Sequence, residues 1–242
     1  MKSWHKVSIG IAGSVFILAG VAFWGTVGFR NFLYPPAPTM PPIVGESMPE
    51  ILTRLEAVLR TNAPCVWTNL RPGISQAEIS KLEQRYHVQL PEEIKAIYQW
   101  HDGTASNTNH WITFIPIHRF VPLEESLETR AALAPENASL FQRLVYHVLV
   151  SHRDSWICLF DDGAGNGYWF DPQRKPTQGA TFCNFTEEAS YTFFPSPKNL
   201  MAGIAACYEQ NAFHIKKDSS PPELDEDFEE SQKIWNQFGA SN

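Results

Sequence analysis

The feature that most constrains this chain is an uncharged run near its N-terminus. From Val7 to Phe29 there are 23 residues without a charged side chain. A helix of that length extends about 34 Å, slightly more than the roughly 30 Å hydrocarbon core of a bilayer. Because backbone groups in lipid must be hydrogen-bonded internally, the run predicts a transmembrane helix. Residues 1–34 are therefore predicted to form a membrane anchor.

A cleaved signal peptide is the alternative for this segment, since 20–22 are small residues at a possible cleavage site. Its apolar region would be about 7–15 residues long, whereas this run continues to Phe29, which favours a retained anchor. Lys2 and Lys6 precede the run and only Arg30 follows it closely. The positive-inside rule then predicts a cytoplasmic N-terminus and a C-terminal domain outside the cytoplasm.

Residues 35–49 are predicted to be a proline-rich spacer. Six of the 18 prolines lie there, at positions 35, 36, 38, 41, 42 and 49. Such a segment is extended and semi-rigid, so it would hold a domain away from the bilayer. A ligand for a proline-reading module is the rarer alternative.

Charge is distributed unevenly along the chain. The net charge is −7, but residues 1–34 carry +3, so the remainder carries −10. This acidic balance argues against nucleic-acid binding, which needs clustered Lys and Arg. With 43% hydrophobic and 13% aromatic residues, the chain is too apolar for a disordered protein. The acidic segment 213–242 is the exception, predicted to be a disordered, solvated tail.

Residues 50–212 carry the pattern of a folded domain. Apolar residues recur at helical spacing over 51–59, and Ser75 with Glu78 forms a capping box that predicts a second helix. A third helix is predicted after Leu90, with Pro91 in its first turn and Asp102-Gly103 ending it. The other predicted elements are strands at 111–115, 155–160, 168–170 and 179–185 and helices at 124–134, 140–150 and 196–211. This order predicts an α+β fold, with helices packed on a small antiparallel sheet.

Part of this domain resembles a known family. The residues that carry the resemblance are Trp67, Pro72, Gly73, Leu90, Pro91, Tyr98, Asp102 and Gly103, followed later by Asp171 and Pro172. Together they resemble the SUKH superfamily, the Smi/Knr cell-wall-assembly regulator family, over roughly residues 50–212. The membrane anchor and a long insert between Glu124 and Val150 depart from the family pattern.

The resemblance implies an α+β domain that binds proteins and has no catalytic chemistry of its own. Bacterial members are similar to immunity proteins that neutralise toxins, and fungal members are linked to cell-wall glucan synthesis. We therefore expect a non-enzymatic, membrane-tethered binding domain of immunity type. A cell-envelope regulatory scaffold is the alternative, and a hydrolase is a remote one. The acidic charge suggests that the protein partner is basic, as many nuclease toxins are.

The candidate partner-binding residues are Trp111, Asp161, Asp162 and Tyr168. The glycine-rich segment 163–167 precedes a predicted strand, not the helix that a phosphate loop needs, and Asp161 lacks the glutamate of a calcium loop. No zinc spacing is present, although His147, His152 and Asp154 lie close in sequence. We therefore predict no catalytic residue, metal or cofactor. Outside the cytoplasm, Cys158 and Cys183 are candidates for a disulfide between neighbouring strands.

Overall fold

The computed structural model describes residues 45–105, 112–133, 156–172, 181–184 and 192–239. All of them belong to one of two compact units of the chain, Ala37–Asn137 with His152–Asn242. Within these ranges no helix is long and apolar enough to cross a membrane. The predicted anchor from Val7 to Phe29, most of the spacer, the predicted helix at 140–150 and the trio His147, His152 and Asp154 lie outside the described residues.

Helices begin where local capping signals predict them. Ser75 Oγ accepts a hydrogen bond from the Glu78 amide at 3.2 Å, and the Glu78 carboxylate accepts one from the Ser75 amide at 2.8 Å. Ser196 caps the helix that starts at Pro197. Pro91 is the N-cap of its helix and so lies one position before the predicted first turn. The described helices are α1 Met48–Asn62, α2 Pro64–Thr68, α3 Gln76–Arg85, α4 Glu92–Trp100, α5 Leu123–Leu133, α6 Pro197–Glu209 and α7 Phe228–Gln237.

The strands form antiparallel sheets, as predicted. Five of them make one sheet in the order β3-β4-β5-β6-β7, and the pairs β1–β2 and β8–β9 make two small ones. The strands are β1 Leu70–Pro72, β2 His101–Thr104, β3 Arg119–Phe120, β4 Ile157–Asp161, β5 Gly167–Phe170, β6 Thr181–Asn184, β7 Thr192–Phe194, β8 Phe213–Ile215 and β9 Leu224–Glu226. Helices around a small antiparallel sheet confirm the α+β class.

One apolar core joins the helices to the five-stranded sheet. Helix α1 packs along α6, whose side chains are nearly all buried. Phe114 stacks on Phe160 with ring centroids 5.4 Å apart, and Phe120 contacts both rings. The buried Tyr98 hydroxyl donates to the Val121 carbonyl at 3.2 Å, which ties α4 to the segment after β3.

One local prediction near residue 110 is wrong and another is incomplete. The third predicted helix does end before Asp102-Gly103, at Trp100, but both residues lie in β2, a strand that was not predicted. Pairing with β1, distant in sequence, fixes them as a strand. The predicted strand at 111–115 is absent from its described part, 112–115, where Ile115 makes a single bridge to His118. A tight turn at Pro116 and Ile117 reverses the chain there.

The predicted disordered tail at 213–242 is also wrong for residues 213–239. Strands β8 and β9 pair in register from Phe213–Glu226 to Ile215–Leu224, and α7 follows. Asp227 caps α7 by accepting a hydrogen bond from the Glu230 amide at 3.1 Å. Ile234 and Trp235 are buried in the core, and Trp235 packs edge-on against Phe194 with centroids 5.1 Å apart. A few large apolar residues among many acids are enough to fold this segment onto the domain.

The register of the sheet excludes the suggested Cys158–Cys183 disulfide. Cys158 lies opposite Trp169, and Cys183 lies opposite Tyr168 on the other edge of β5. The two cysteines are therefore on β4 and β6, two strand spacings of about 4.8 Å apart. A disulfide requires Cα atoms within about 7 Å, so β5 keeps these residues too far apart.

Candidate functional site

Residues Gly73, Tyr98, Asp102 and Gly103, which we call the buried motif, hold the backbone together, and all of them except the exposed Gly73 are buried. A Cβ on Gly73 would lie 1.8 Å from the Gln99 carbonyl oxygen, so only glycine allows β1 to approach α4. Gly103 has φ +81, and a Cβ there would lie 2.6 Å from the Pro122 nitrogen. Both glycines are required by close backbone contacts, and their role is therefore structural.

Asp102 connects this motif to the surface. Its side chain is buried, and one carboxylate oxygen accepts a hydrogen bond from the Leu123 amide at 2.9 Å, at the start of α5. The other forms an ion pair with Arg71 at 2.8 Å. Burial raises the pKa of Asp102, although the Leu123 amide and the Arg71 guanidinium act in the opposite direction.

An open groove of about 630 Å³ lies above Asp102, between α3 and α5. Its apolar lining comes from Ile74, Leu82 and Pro122. Its charged lining comprises five carboxylates and two cations, namely Glu78, Asp102, Glu124, Glu125 and Glu128 with Arg71 and Lys81. We call this the acidic groove. Carboxylates outnumber cations, so the groove attracts positive charge.

The ionic contacts of Arg119 extend this acidic surface to the edge of the sheet. Arg119 pairs with Glu125 of the groove and, at 2.8 and 3.0 Å, with both carboxylate oxygens of Asp161. The two carboxylates hold the pKa of Arg119 above its usual range despite its burial. One cation shared by two acids leaves a net negative charge at this point. Asp161, predicted from sequence to bind a partner, is therefore next to the groove and engaged in an ion pair.

Asp162 lies in the turn that follows. Its carboxylate accepts hydrogen bonds from the Ala164 amide at 2.8 Å and the Asn166 amide at 3.0 Å. Burial opposes ionisation, but these hydrogen bonds together hold the pKa of Asp162 below its usual value. Residues 163–165 are exposed, and strand β5 follows them directly. The turn thus places the charged Asp162 carboxylate at one end of the sheet. The glycine-rich segment is part of a hairpin, whereas a phosphate loop would need a helix after it.

Other predicted residues lie elsewhere. Tyr168 is buried, stacked at 6.2 Å on Trp235 and packed against His118 at 5.2 Å, so its position is one of a core residue. Trp111 lies outside the described residues. Of the family-motif residues, Leu90 is buried, Trp67 packs edge-on against His101, and Asp171 is buried next to the exposed Pro172.

The groove carboxylates were missed by sequence reasoning. Glu124, Glu125 and Glu128 lie at i, i+1 and i+4 of α5, which places two of them on one helix face, and that spacing was a usable signal. Glu78 and Asp102 come to the groove from distant elements, so no local pattern connects them. Among the described residues, no three His, Cys, Asp or Glu side chains are grouped to hold a metal ion.

Comparison with known proteins gives one result that fits this geometry. The family model of the SMI1 / KNR4 family (SUKH-1) matches residues 73–198, slightly more than half of the chain. A comparison with curated proteins finds no match. The matched region contains the buried motif and the described part of the five-stranded sheet, and α1 and the segment 213–239 pack on the same core from outside it. The chain therefore belongs to the SMI1 / KNR4 family (SUKH-1).

Proposed function

We propose that this chain is a membrane-tethered, non-enzymatic binding domain of immunity type that neutralises a basic toxin by covering part of its surface. The observation that carries the proposal is the acidic groove, with its five carboxylates and two cations around an open space of about 630 Å³. Family membership supports a protein as the partner.

The electrostatics favour a basic partner. With the ion-pair partners Arg85 of Glu124 and Arg119 of Glu125 and Asp161 included, the groove and its edge hold six carboxylates and four cations. Residues 35–242 together carry a net charge of −10. Opposite charge steers the encounter of two proteins and raises the association rate. The apolar side chains of Ile74, Leu82 and Pro122 add contact area beneath the charged rim.

Tethering is the second element of the proposal. The uncharged run from Val7 to Phe29 would anchor the chain, and the proline-rich residues 35–49 would hold the domain clear of the bilayer. Lys2 and Lys6 favour a cytoplasmic N-terminus and an external domain. A topology reporter fused after Asn242 checks this orientation, and cytoplasmic reporter activity would reverse it.

A cell-envelope assembly scaffold is the second candidate function. The anchor and spacer favour it, because they would hold the domain beside membrane-bound synthetic enzymes. Both functions use the same kind of binding surface and differ in the partner. A toxin-like adjacent gene supports immunity, and an adjacent gene for cell-wall synthesis supports the scaffold.

The test is copurification of the full chain with the protein encoded by the adjacent gene, followed by affinity measurement. Glu128 is exposed on the groove, and within the described residues its one hydrogen bond is a long one from the Tyr86 hydroxyl at 3.3 Å. Glu128→Lys therefore changes charge without removing a buried contact. We expect about tenfold weaker binding and a strong salt dependence. Glu229→Lys, an equal charge change at an exposed position of α7, should bind as the wild type does. Absence of a stable complex would exclude the immunity function.

A further inference from the structure

One exposed side chain stands out in a place where stability favours a different residue. Ile117 is 67% exposed, and among the described residues only Phe228 is a comparably exposed large hydrophobic. A single exposed apolar side chain needs no special explanation. Ile117, however, also has φ +62, a left-handed conformation that is an outlier for a β-branched residue.

The turn around Ile117 makes this choice of residue costly. The Ile115 amide donates to the His118 carbonyl at 3.1 Å, and the His118 amide donates to the Ile115 carbonyl at 2.8 Å. Pro116 and Ile117 are the central residues, which matches a type II turn in the sign of its φ angles. The second central position of that turn favours glycine or asparagine. An isoleucine there is strained and gains no burial in return.

The same turn holds Ile117 rigidly. Its neighbours Pro116 and His118 are both buried, and His118 Nδ1 lies 3.0 Å from the Pro116 carbonyl oxygen. The backbone on both sides is therefore fixed by the core while the Ile117 side chain projects outward. A backbone that is already fixed loses little conformational entropy on binding, which favours Ile117 as an interface anchor.

The acidic residues Asp161 and Asp162 lie at the same end of the sheet as Ile117. Strand β3 pairs with β4 so that Arg119 is opposite Asp161, which brings the turns that adjoin these residues to the same end of the sheet. Burial lowers the pKa of His118, and the carboxylates of Asp162 and Asp161 act in the opposite direction, which agrees with adjacent turns. Ile117, the half-buried Asp162 and the exposed residues 163–165 thus lie at one end of the sheet, and we call them the tip. Through Arg119 it continues into the acidic groove.

We propose that the tip is the primary contact for the basic protein partner, with Ile117 as its apolar anchor and Asp162 as a flanking charge. This rests on the proposed function, and it adds which surface makes the contact and what the partner must present. The complementary partner surface is an apolar pocket rimmed by Lys or Arg side chains. Folding does not need an isoleucine in this strained, exposed position. Binding is the use that explains it.

The test measures binding and stability together on the full chain, with the adjacent-gene protein as the probe. Ile117→Asn and Ile117→Gly relieve the backbone strain and remove the anchor. We expect both to weaken binding by about tenfold or more while the melting temperature stays the same or rises. Phe228→Ser removes a side chain of matched exposure, 66%, on the regular helix α7, and its affinity should stay within about twofold of the wild type.

The outcomes separate this inference from the proposed function. If the wild type binds and both Ile117 variants bind equally well, the tip is not the contact although the proposed function stands. A lower melting temperature in Ile117→Gly would give Ile117 a structural role and overturn the inference. An equal loss of affinity in Phe228→Ser would also overturn the inference. So would a wild-type dimer that dissociates in the Ile117→Asn variant. If no complex forms, the proposed function and the inference both fail.

Discussion

The buried motif and the tip differ in what explains their residues. At the buried motif each residue is required by packing, since Gly73 and Gly103 allow close backbone contacts and Tyr98 and Asp102 bond to buried backbone groups. At the tip, Ile117 is exposed and strained, and no contact among the described residues explains it. The residues that identify the family therefore report on the fold, whereas the proposed binding surface lies where stability alone would choose other residues.

The largest effect is expected at Gly73. In Gly73→Ala the new Cβ would lie 1.8 Å from the Gln99 carbonyl oxygen, so β1 and α4 must separate. We expect a loss of about 4 kcal/mol or more in the free energy of unfolding, measured by urea denaturation. Gly45→Ala is the control. The φ of +129 at this position would strain an alanine, but the new Cβ would have no atom within 4 Å. Similar losses in both variants would contradict the close-contact explanation.

Trp235 tests whether the segment 213–239 belongs to the folded domain. Its ring is buried against Phe194, Phe213 and Tyr168. Trp235→Ala should therefore lower the free energy of unfolding by about 3–5 kcal/mol. The exposed Phe228 on the same helix is the control, and Phe228→Ala should cost less than about 0.5 kcal/mol. A tail that is disordered would make the two variants equally harmless.

Asp102 is expected to have a smaller and pH-dependent effect. Asp102→Ala leaves the Leu123 amide without its acceptor and should cost about 1–3 kcal/mol. Because burial raises the pKa of Asp102 above 3.8, the folded state holds its proton to higher pH than the unfolded chain. The part of its stability contribution that depends on protonation is full below pH 3.8 and is lost as pH rises through the folded pKa.

Urea denaturation of the wild type and Asp102→Asn at several pH values measures this contribution. The stability of the wild type relative to the variant should fall as pH rises across that window. A difference that grows with pH would contradict the burial of this carboxyl.

Asp162 should show the smallest effect on stability and the opposite pH dependence. Burial acts against ionisation, but the hydrogen bonds from Ala164 and Asn166 hold the pKa of Asp162 below 3.8. Its contribution is therefore present above pH 3.8 and is lost as pH falls through the folded pKa. Asp162→Asn should cost at most about 1 kcal/mol at neutral pH and weaken binding severalfold. Unchanged binding in this variant would separate Asp162 from the tip's contact surface.

Sequence patterns predicted the parts of the fold that depend on neighbours in the chain. The capping box of Ser75 and Glu78 and the cap at Ser196 were found because their partners lie within three residues. The end of α4 before Asp102-Gly103 was predicted, but strand β2 was not, because its pairing with the distant β1 decides it. The tail was misjudged because Ile234 and Trp235 are few among many acids, and only the core shows where they pack.

The candidate site was predictable only in part, for the same reason. Asp161 and Asp162 were selected from sequence. Both lie at the end of the sheet, and Asp161 is connected to the acidic groove through Arg119. Tyr168 was selected as well, but Trp235 covers it from a segment expected to be disordered. The positive φ of Ile117 follows from the tight turn between Ile115 and His118, and no residue type in the sequence signals it.

Hydrogen–deuterium exchange of the domain, alone and in complex with the adjacent-gene protein, tests the central claim most directly. In the complex we expect added protection over residues 114–118 and 162–166 and at the start of α5, with none over 213–226. Added protection confined to β8, β9 and α7, with the tip and the acidic groove unchanged, would contradict it.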